Sequence, residues 1–455
     1  MTSTSTTSDP SSTQVRIRLA TKDGRYSLSE TAPILIPTSF RRLGLSSLVN
    51  NLLGHDQPVP FDFIIRGSYL RTSLEDFLTE NGISSETIID AEYTPAQKPP
   101  RYVTSFEHDD WVSAVHTLPS SPQPRILSSS YDGRIRVWNS SAQVMAISPS
   151  KSEAGHTSFI KDAKFITSKQ LVSVGFDRVG RLWKYEEAED GLSAKITPQL
   201  ELHGHKSCID SVAVHATSHR VLTASSDHSI GFWSTRKSDA LAVSEDAPVK
   251  RRKLNPAVSV AQRGPLSTLQ AHSQQVSGVI FDTKDATVAY SSSWDQTMRT
   301  WDLVTASVVD TRTTNQALFA IEQVPDLHLI ATGTAGRDVK LIDPRASASA
   351  VTAVSLRGHK NSVVALAQDP DTSYNLASGS HDGTVRIWDL RNTKQGKDGI
   401  TAQSLYTIPR ENLKGKPAPE VGSGAQVYGL SWDRELGILS GGQDKSIQIN
   451  RSEPP

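Results

Sequence analysis

The chain has 455 residues, and its 48 Lys+Arg balance 48 Asp+Glu, so the formal net charge is zero. That balance excludes a protein built throughout to coat nucleic acid or an anionic membrane, since either task needs a cationic excess. A single cysteine, Cys208, excludes an internal disulfide and a Cys-cluster zinc site and points to a reducing compartment, and no run approaches the roughly 18–20 apolar residues of a membrane span.

Residues 1–14 are rich in Ser and Thr and have neither a basic n-region nor an apolar core, which predicts a disordered tail rather than a secretory signal. Val15, Ile17 and Leu19 then alternate with Arg16 and Arg18, the pattern of a half-buried strand, and APILIP (32–37) reads as a second strand. Leu45, Leu48, Val49, Leu52 and Leu53 recur at helical spacing up to a stop at Gly54. FDFIIRG (61–67) predicts a strand, TSLEDFLTENG (72–82) a short helix capped by Thr72 or Ser73 and ended at Gly82, and IIDAEY (88–93) a last strand. This ββαβαβ order over residues 15–93 resembles a ubiquitin-like α+β domain. TPAQKPP (94–100), with three prolines, predicts a stiff linker.

Beyond Arg101 the chain repeats itself. An Asp is followed six residues later by Trp in Asp132/Trp138, Asp177/Trp183, Asp227/Trp233, Asp295/Trp301 and Asp382/Trp388. Two degenerate copies keep the register with Gly336/Ile342 and Asp444/Asn450. A His precedes each full copy (His108, His156, His205, His272, His359). A Ser or Thr lies four residues before the Asp position in all seven copies: Ser128, Ser173, Thr223, Ser291, Thr332, Ser378 and Ser440. His, Ser/Thr, Asp and Trp at this spacing can close a hydrogen-bonded tetrad across a small sheet and satisfy polar groups that packing would otherwise strand. The pattern, with its Gly-His pairs at 155–156, 204–205 and 358–359 and its Trp-Asp pairs at 301–302 and 388–389, resembles the WD-repeat family. The resemblance implies a mainly β protein, with a seven-bladed propeller over residues 101–455 following the α+β domain. Only RSEPP follows the last repeat, so RYVTSF (101–106) is expected to supply the outer strand of the seventh blade and remove two open edges at once. The excess lengths near 235–265 and 391–422 are polar and breaker-rich and read as surface loops, mobile unless a partner orders them.

VRIRLAT, PVPFDFIIRG, YLRTSLEDFLTENGISSE and the DWVSAV after the linker resemble the Notchless-like module and first blade of the WD-repeat subunit family of the PeBoW ribosome-assembly complex. The resemblance implies a non-enzymatic factor for maturation of the large (60S) ribosomal subunit and rRNA processing, in the nucleolus and nucleoplasm. It implies as partners a block-of-proliferation-type propeller protein, a pescadillo-type protein, the pre-60S particle and the AAA-type ATPase midasin. In that family a Glu of the module completes a Mg²⁺ site held by midasin. The matching residue in GISSE is Glu86, flanked by Ser84 and Ser85; taken by itself it would be an ordinary solvated carboxylate. No cofactor of the chain's own is implied. Two other readings share the architecture: a ubiquitin-pathway adaptor or scaffold, and the related Notchless assembly factor, which is expected to carry one more blade.

Ser380-His381-Asp382 invites a hydrolase reading, but consecutive residues cannot converge as a triad, and the same residue set recurs from blade to blade as structure does. Walker A, HExxH and GxSxG patterns are absent, so no enzyme is expected. In the repeat register Trp111, Tyr131, Phe159, Phe176, Trp294, Phe319 and Tyr428 should share one face of the ring, as protein-binding residues or partly buried between blades. The run Lys250-Arg251-Arg252-Lys253 is open to three readings: a nuclear localisation segment, a contact to RNA phosphates, or an ordinary solvated loop.

Overall fold

The computed structural model describes residues 13–29, 32–54, 57–118, 123–189, 191–236, 238–239, 260–346, 353–396, 399–415 and 423–452. The chain divides into two compact units, one holding the residues up to Pro99 with Arg391–Lys394, the other Pro100–Leu390 with Gln395–Arg451. No helix among the described residues is long and apolar enough to cross a membrane.

In the first unit the elements are β1 (Gln14–Ala20), β2 (Ile34–Pro37), α1 (Arg42–Leu53), β3 (Phe61–Ile65), β4 (Ser68–Tyr69), α2 (Leu74–Glu80) and β5 (Ile89–Pro95). The two-residue β4 is the addition to the predicted order, and β5 reaches Pro95, inside the segment read as linker. The five strands form one sheet in the order β2-β1-β5-β3-β4, with β1 and β5 parallel. Alternation in β1 buries Val15, Ile17 and Leu19 beneath Leu45 and Val49 of α1, together with Phe61, Phe63 and Tyr93. Gly54 ends α1 in a left-handed conformation (φ 65°) that a side chain would strain. Of the two candidate caps of α2, Ser73 performs the role, accepting from the Asp76 amide at 3.2 Å.

The second unit is a ring of seven blades, each built on four antiparallel strands. The strand that carries the Ser/Thr of the tetrad is buried on both faces, as in Ile126–Ser130 and Asn375–Ser380, because it is sandwiched between neighbouring blades. In the seventh blade the outer strand is β6 (Arg101–Glu107), from the start of the propeller region. It pairs antiparallel with Ser446–Arg451, from Glu107 opposite Ser446 to Arg101 opposite Arg451. Closure by the chain's own start is therefore as the sequence predicts, and Phe106 anchors it, buried 5.5 Å from the Trp138 ring. Hydrogen exchange should show protection in 101–107 and 446–451 lost together; independent loss would contradict a shared closure.

Residues 391–422 need correction. The third strand of the sixth blade does not stop after Trp388 but runs Thr384–Gly396 and returns as Gly399–Pro409. The returning strand also pairs in parallel with the outer strand of the fifth blade, Thr401 opposite Ser355 and Ala402 opposite Leu356, so the fifth and sixth blades share one eight-stranded sheet. Polarity misleads here because one face of the hairpin is solvated while its backbone is paired. The buried Ala402 and Ile408 are the period-2 trace it leaves in the sequence. At the end of the 235–265 segment, Ala261–Arg263 adds a fifth strand to the second blade.

Candidate functional site

Four tetrads are complete. His156, His205, His272 and His359 each bring Nδ1 to the turn Asp (Asp177, Asp227, Asp295, Asp382) at 2.8–3.0 Å. Each brings Nε2 within 2.7 Å of the hydroxyl of Ser173, Thr223, Ser291 or Ser378. Trp183, Trp233, Trp301 and Trp388 donate Nε1–H to those same hydroxyls at 2.7–2.8 Å. A carboxylate on Nδ1 makes that nitrogen the donor, so the hydroxyl accepts from Trp and donates to Nε2. Every hydroxyl is fully buried and committed, which leaves no nucleophile. The Ser380-His381-Asp382 sequence does not converge either. Ser380 donates to the Asn361 carbonyl, Asp382 belongs to His359, and His381 packs edge-on to Tyr428 at 5.7 Å.

The first, fifth and seventh blades depart from the pattern; in the fifth, Gly336 and Ile342 stand at the Asp and Trp positions and the Thr332 hydroxyl donates to the Lys340 carbonyl at 3.2 Å. In the first, His108 reaches Ser128 at 2.8 Å, but Asp132 turns to Arg136 (2.6 Å), which also holds Asp109 (2.7 Å). The residue after the His is itself acidic, so the Asp132 carboxylate cannot settle over that backbone amide as its counterparts do at Thr157, Lys206, Ser273 and Lys360. His108 Nδ1 is left buried without a partner, and burial, with Arg136 nearby, lowers its pKa to about 4. In the seventh, Arg410 takes the place of the missing His, delivered by the returning strand of the 391–409 hairpin. Sequence reasoning missed Arg410 because it lies 34 residues before Asp444, outside the repeat spacing.

The predicted aromatic residues divide into two groups. Phe176 stacks on Phe159 (4.7 Å), Phe159 on Tyr131 (4.8 Å, 3° between planes), and Tyr131 meets Trp111 (5.3 Å) and Tyr428 (6.1 Å). This array crosses the second, first and seventh blades and is extended by His381 of the sixth, which was not among the predicted residues. Trp294 and Phe319 form a separate pair at 5.4 Å on the fourth and fifth blades. Phe176 and Trp294 are 51% and 42% exposed, and the remaining rings are half-buried, each with an edge in contact with its neighbours. Burial pushes the Tyr428 phenol up to about 12, so it stays neutral. At the corresponding positions of the third blade the face is polar: Ser226 donates to Asp210 at 2.6 Å and lies 3.1 Å from Cys208 Sγ. The aromatic surface is thus one-sided.

Glu86 sits exposed on the loop between α2 and β5, with its amide on Ser84 Oγ (3.3 Å) and the Thr87 hydroxyl on the Ser84 carbonyl (2.8 Å). These bonds stiffen the turn that presents the carboxylate. Among the described residues no three His, Cys, Asp or Glu side chains gather as a metal site, so Glu86 fits a metal only as one ligand among others supplied from outside. The basic run 250–253 and most of the 235–265 segment lie outside the described residues.

Comparison with known proteins adds two family models. The NLE (NUC135) domain matches residues 15–78, and the WD domain, G-beta repeat, matches 100–139, 196–234, 263–302 and 351–389. The chain is 55% identical to "Ribosome biogenesis protein ytm1" of Aspergillus oryzae over 97% of this chain and 96% of that one. It is 53% identical to the protein of the same name from Aspergillus niger over 99% and 97%. Among solved structures, the WD40 beta propeller domain of Doa1 superposes with a TM-score of 0.57 at 17% identity, covering 78% of this chain and 98% of that one, a likeness of fold.

Proposed function

The chain belongs to the ribosome biogenesis protein Ytm1 family and is a ribosome assembly factor, and from that premise we propose that it works on the large (60S) subunit as a two-ended, non-enzymatic adaptor. The propeller anchors the protein, through its aromatic face, to the block-of-proliferation-type propeller of a complex that also contains a pescadillo-type protein. The N-terminal module, read as ubiquitin-like, is the handle by which midasin removes that complex from the pre-60S particle in the nucleus. The observation that carries the reading is Glu86, an exposed carboxylate on a stiffened turn of a module with no metal site among its described residues.

A Mg²⁺ held by a partner needs six oxygens in near-octahedral array, and one carboxylate from outside fits an open position among them. Glu86 is free to supply it because no cation of its own module engages it among the described residues. No cofactor is expected apart from this shared ion. Lys250–Lys253 is proposed as the nuclear localisation segment.

The test is affinity purification of the wild-type chain and of Glu86→Ala from nuclear extract. Wild type should recover ribosomal precursors, the propeller partner and midasin. Glu86→Ala should lose midasin and keep the other two. Equal recovery of midasin would remove the proposed role of Glu86, and recovery of ubiquitin-ligase subunits instead of ribosomal precursors would replace the reading.

A further inference from the structure

The propeller adds strands to its own outer edges. Ala261–Arg263 lies in parallel on Ala194–Leu202, the outer strand of the second blade, and Gly399–Pro409 lies in parallel on Val354–Arg357, the outer strand of the fifth. The first blade has no such addition among the described residues. Its outer strand, Val144–Ile147, pairs with Ile135–Trp138 on one side, and no described strand pairs with the other. An edge left open presents unpaired amides and carbonyls, which are a template for one more strand. Here it also carries two apolar side chains, Val144 and Ile147, that are 41% and 42% exposed.

A cleft of about 510 Å³ opens beside the end of this strand, between the first and second blades. Ile147, Pro149, Ala194 and Ile196 give it an apolar wall, and Arg134 and Lys195 bring two exposed cations. Neither cation has a carboxylate partner among the described residues, since Glu186, opposite Lys195 in the sheet, is paired with Lys184. Glu153, the acid of the cleft, is already engaged, accepting from the amide and the hydroxyl of Ser150 at 3.4 and 3.3 Å. The cleft therefore joins an open backbone edge, apolar contact area and positive charge that lacks a counter-ion. That combination fits an extended peptide with acidic and apolar side chains, whose main chain supplies affinity and whose alternate side chains supply specificity. Single-stranded RNA would meet the two cations, but no aromatic ring lines the cleft for a base to stack on.

We propose that the cleft between the first and second blades docks an extended acidic segment of a partner protein, which adds to Val144–Ile147 as a fifth strand of the first blade. The edge is four residues long, so the paired part of that segment is short. The site depends neither on Glu86 nor on the aromatic face.

The experiment is fluorescence anisotropy of the full chain with a labelled peptide of alternating Val and Glu, one of alternating Val and Lys, and a labelled uridine oligonucleotide. The Val/Glu peptide should bind, more weakly as salt is raised, and the Val/Lys peptide should not. Arg134→Glu and Lys195→Glu should each weaken the Val/Glu peptide about three- to tenfold, and Ile147→Asp about tenfold. All three side chains are exposed, and unchanged melting of the variants separates docking from folding. A photoreactive group in the Val/Glu peptide should cross-link within residues 144–153 or 194–196. Absence of binding at millimolar peptide, binding that the three variants leave unchanged, or cross-links confined to other residues would overturn the proposal. Oligonucleotide binding that is lost in the same variants, with no binding of the Val/Glu peptide, would assign the cleft to RNA instead.

Discussion

Arg410→Ala is expected to open the seventh blade and to destabilise the propeller by about 3–5 kcal/mol, the usual cost of removing one partner of a buried ion pair. The guanidinium is 1% exposed and spends all three nitrogens. Nε and Nη2 grip Asp444 at 2.8 and 2.5 Å, Nη1 reaches the Ser440 carbonyl and hydroxyl at 2.7 and 2.8 Å, and Nη2 also reaches the Ser446 carbonyl and hydroxyl at 2.8 and 2.9 Å. Truncation leaves the Asp444 carboxylate buried without its cation. Arg410→Lys should recover little, because one ammonium cannot reproduce a planar fork with five donors. The damage has a direction: Ser446 is the residue opposite Glu107, so the loss loosens the strand pair that closes the ring. Urea unfolding with hydrogen exchange should show the whole propeller destabilised and residues 101–107 and 446–451 exchanging earliest. A variant that melts and exchanges like wild type would mean that Arg410 holds nothing.

The second large effect is with pH: the propeller should lose stability in two stages on acidification. His108 is held at about 4 by burial and by Arg136, against about 6.5 in an unfolded chain. Between these values the unfolded state binds a proton that the native state refuses, so stability falls as the pH drops from about 6.5 towards 4. The tetrad carboxylates are depressed as well, and their loss comes at lower pH. Burial alone would raise Asp177, but the His156 imidazole and Arg181 overcome it and hold the group at about 2. Its contribution, about 2 kcal/mol, is fully present above the ordinary value near 3.8 and is lost as the pH falls through about 2. Asp227, Asp295 and Asp382 are depressed in the same direction by their own histidines, again against desolvation, so the tetrads fail together. Urea midpoints measured from pH 7.5 to 2.5 should fall in both stages. In Arg136→Met or His108→Gln the first stage should shrink and the second persist. A His108→Gln profile that matches wild type between pH 6.5 and 4 would contradict the trapped neutral state of His108.

Much of this was legible in the sequence because the repeat is written in polar residues whose spacing has one structural solution. Asp382, Ser378, His359 and Trp388 identify a blade without reference to hydrophobicity, and seven registers count the blades. What escaped was what departs from the period. Arg410 replaces a His from a different strand at a different distance, and no repeat spacing points to it. The Gly399–Pro409 strand is polar on its exposed side, so composition hid an ordered hairpin that joins two blades. The diversion of Asp132 follows from Asp109, visible in the sequence but meaningful only once the two carboxylates are known to compete for one place. For the aromatic face, the register put the rings on the right turns. It could not show that five of them, with His381, form one array while Trp294 and Phe319 stand apart, because contact across blades depends on which turns are neighbours in the ring.

Gly231 marks another departure with a physical reason. In four of the other blades an Arg stands at this place in the third strand (Arg136, Arg181, Arg299, Arg386). Here a Cβ would come within 2.5 Å of Trp233 Nε1 and 2.7 Å of the Thr223 hydroxyl, so in this blade Trp233 and Thr223 stand in space that a side chain at 231 would need.

The proposed function requires that the Glu86 carboxylate lets an ATPase pull the propeller off its particle. The direct measurement is release of the protein from purified pre-60S particles on addition of midasin, Mg²⁺ and ATP, comparing the wild-type chain with Glu86→Ala assembled to the same occupancy. Wild type should leave the particle with ATP, and Glu86→Ala should remain bound with its propeller partner. Departure of both at the same rate would contradict it.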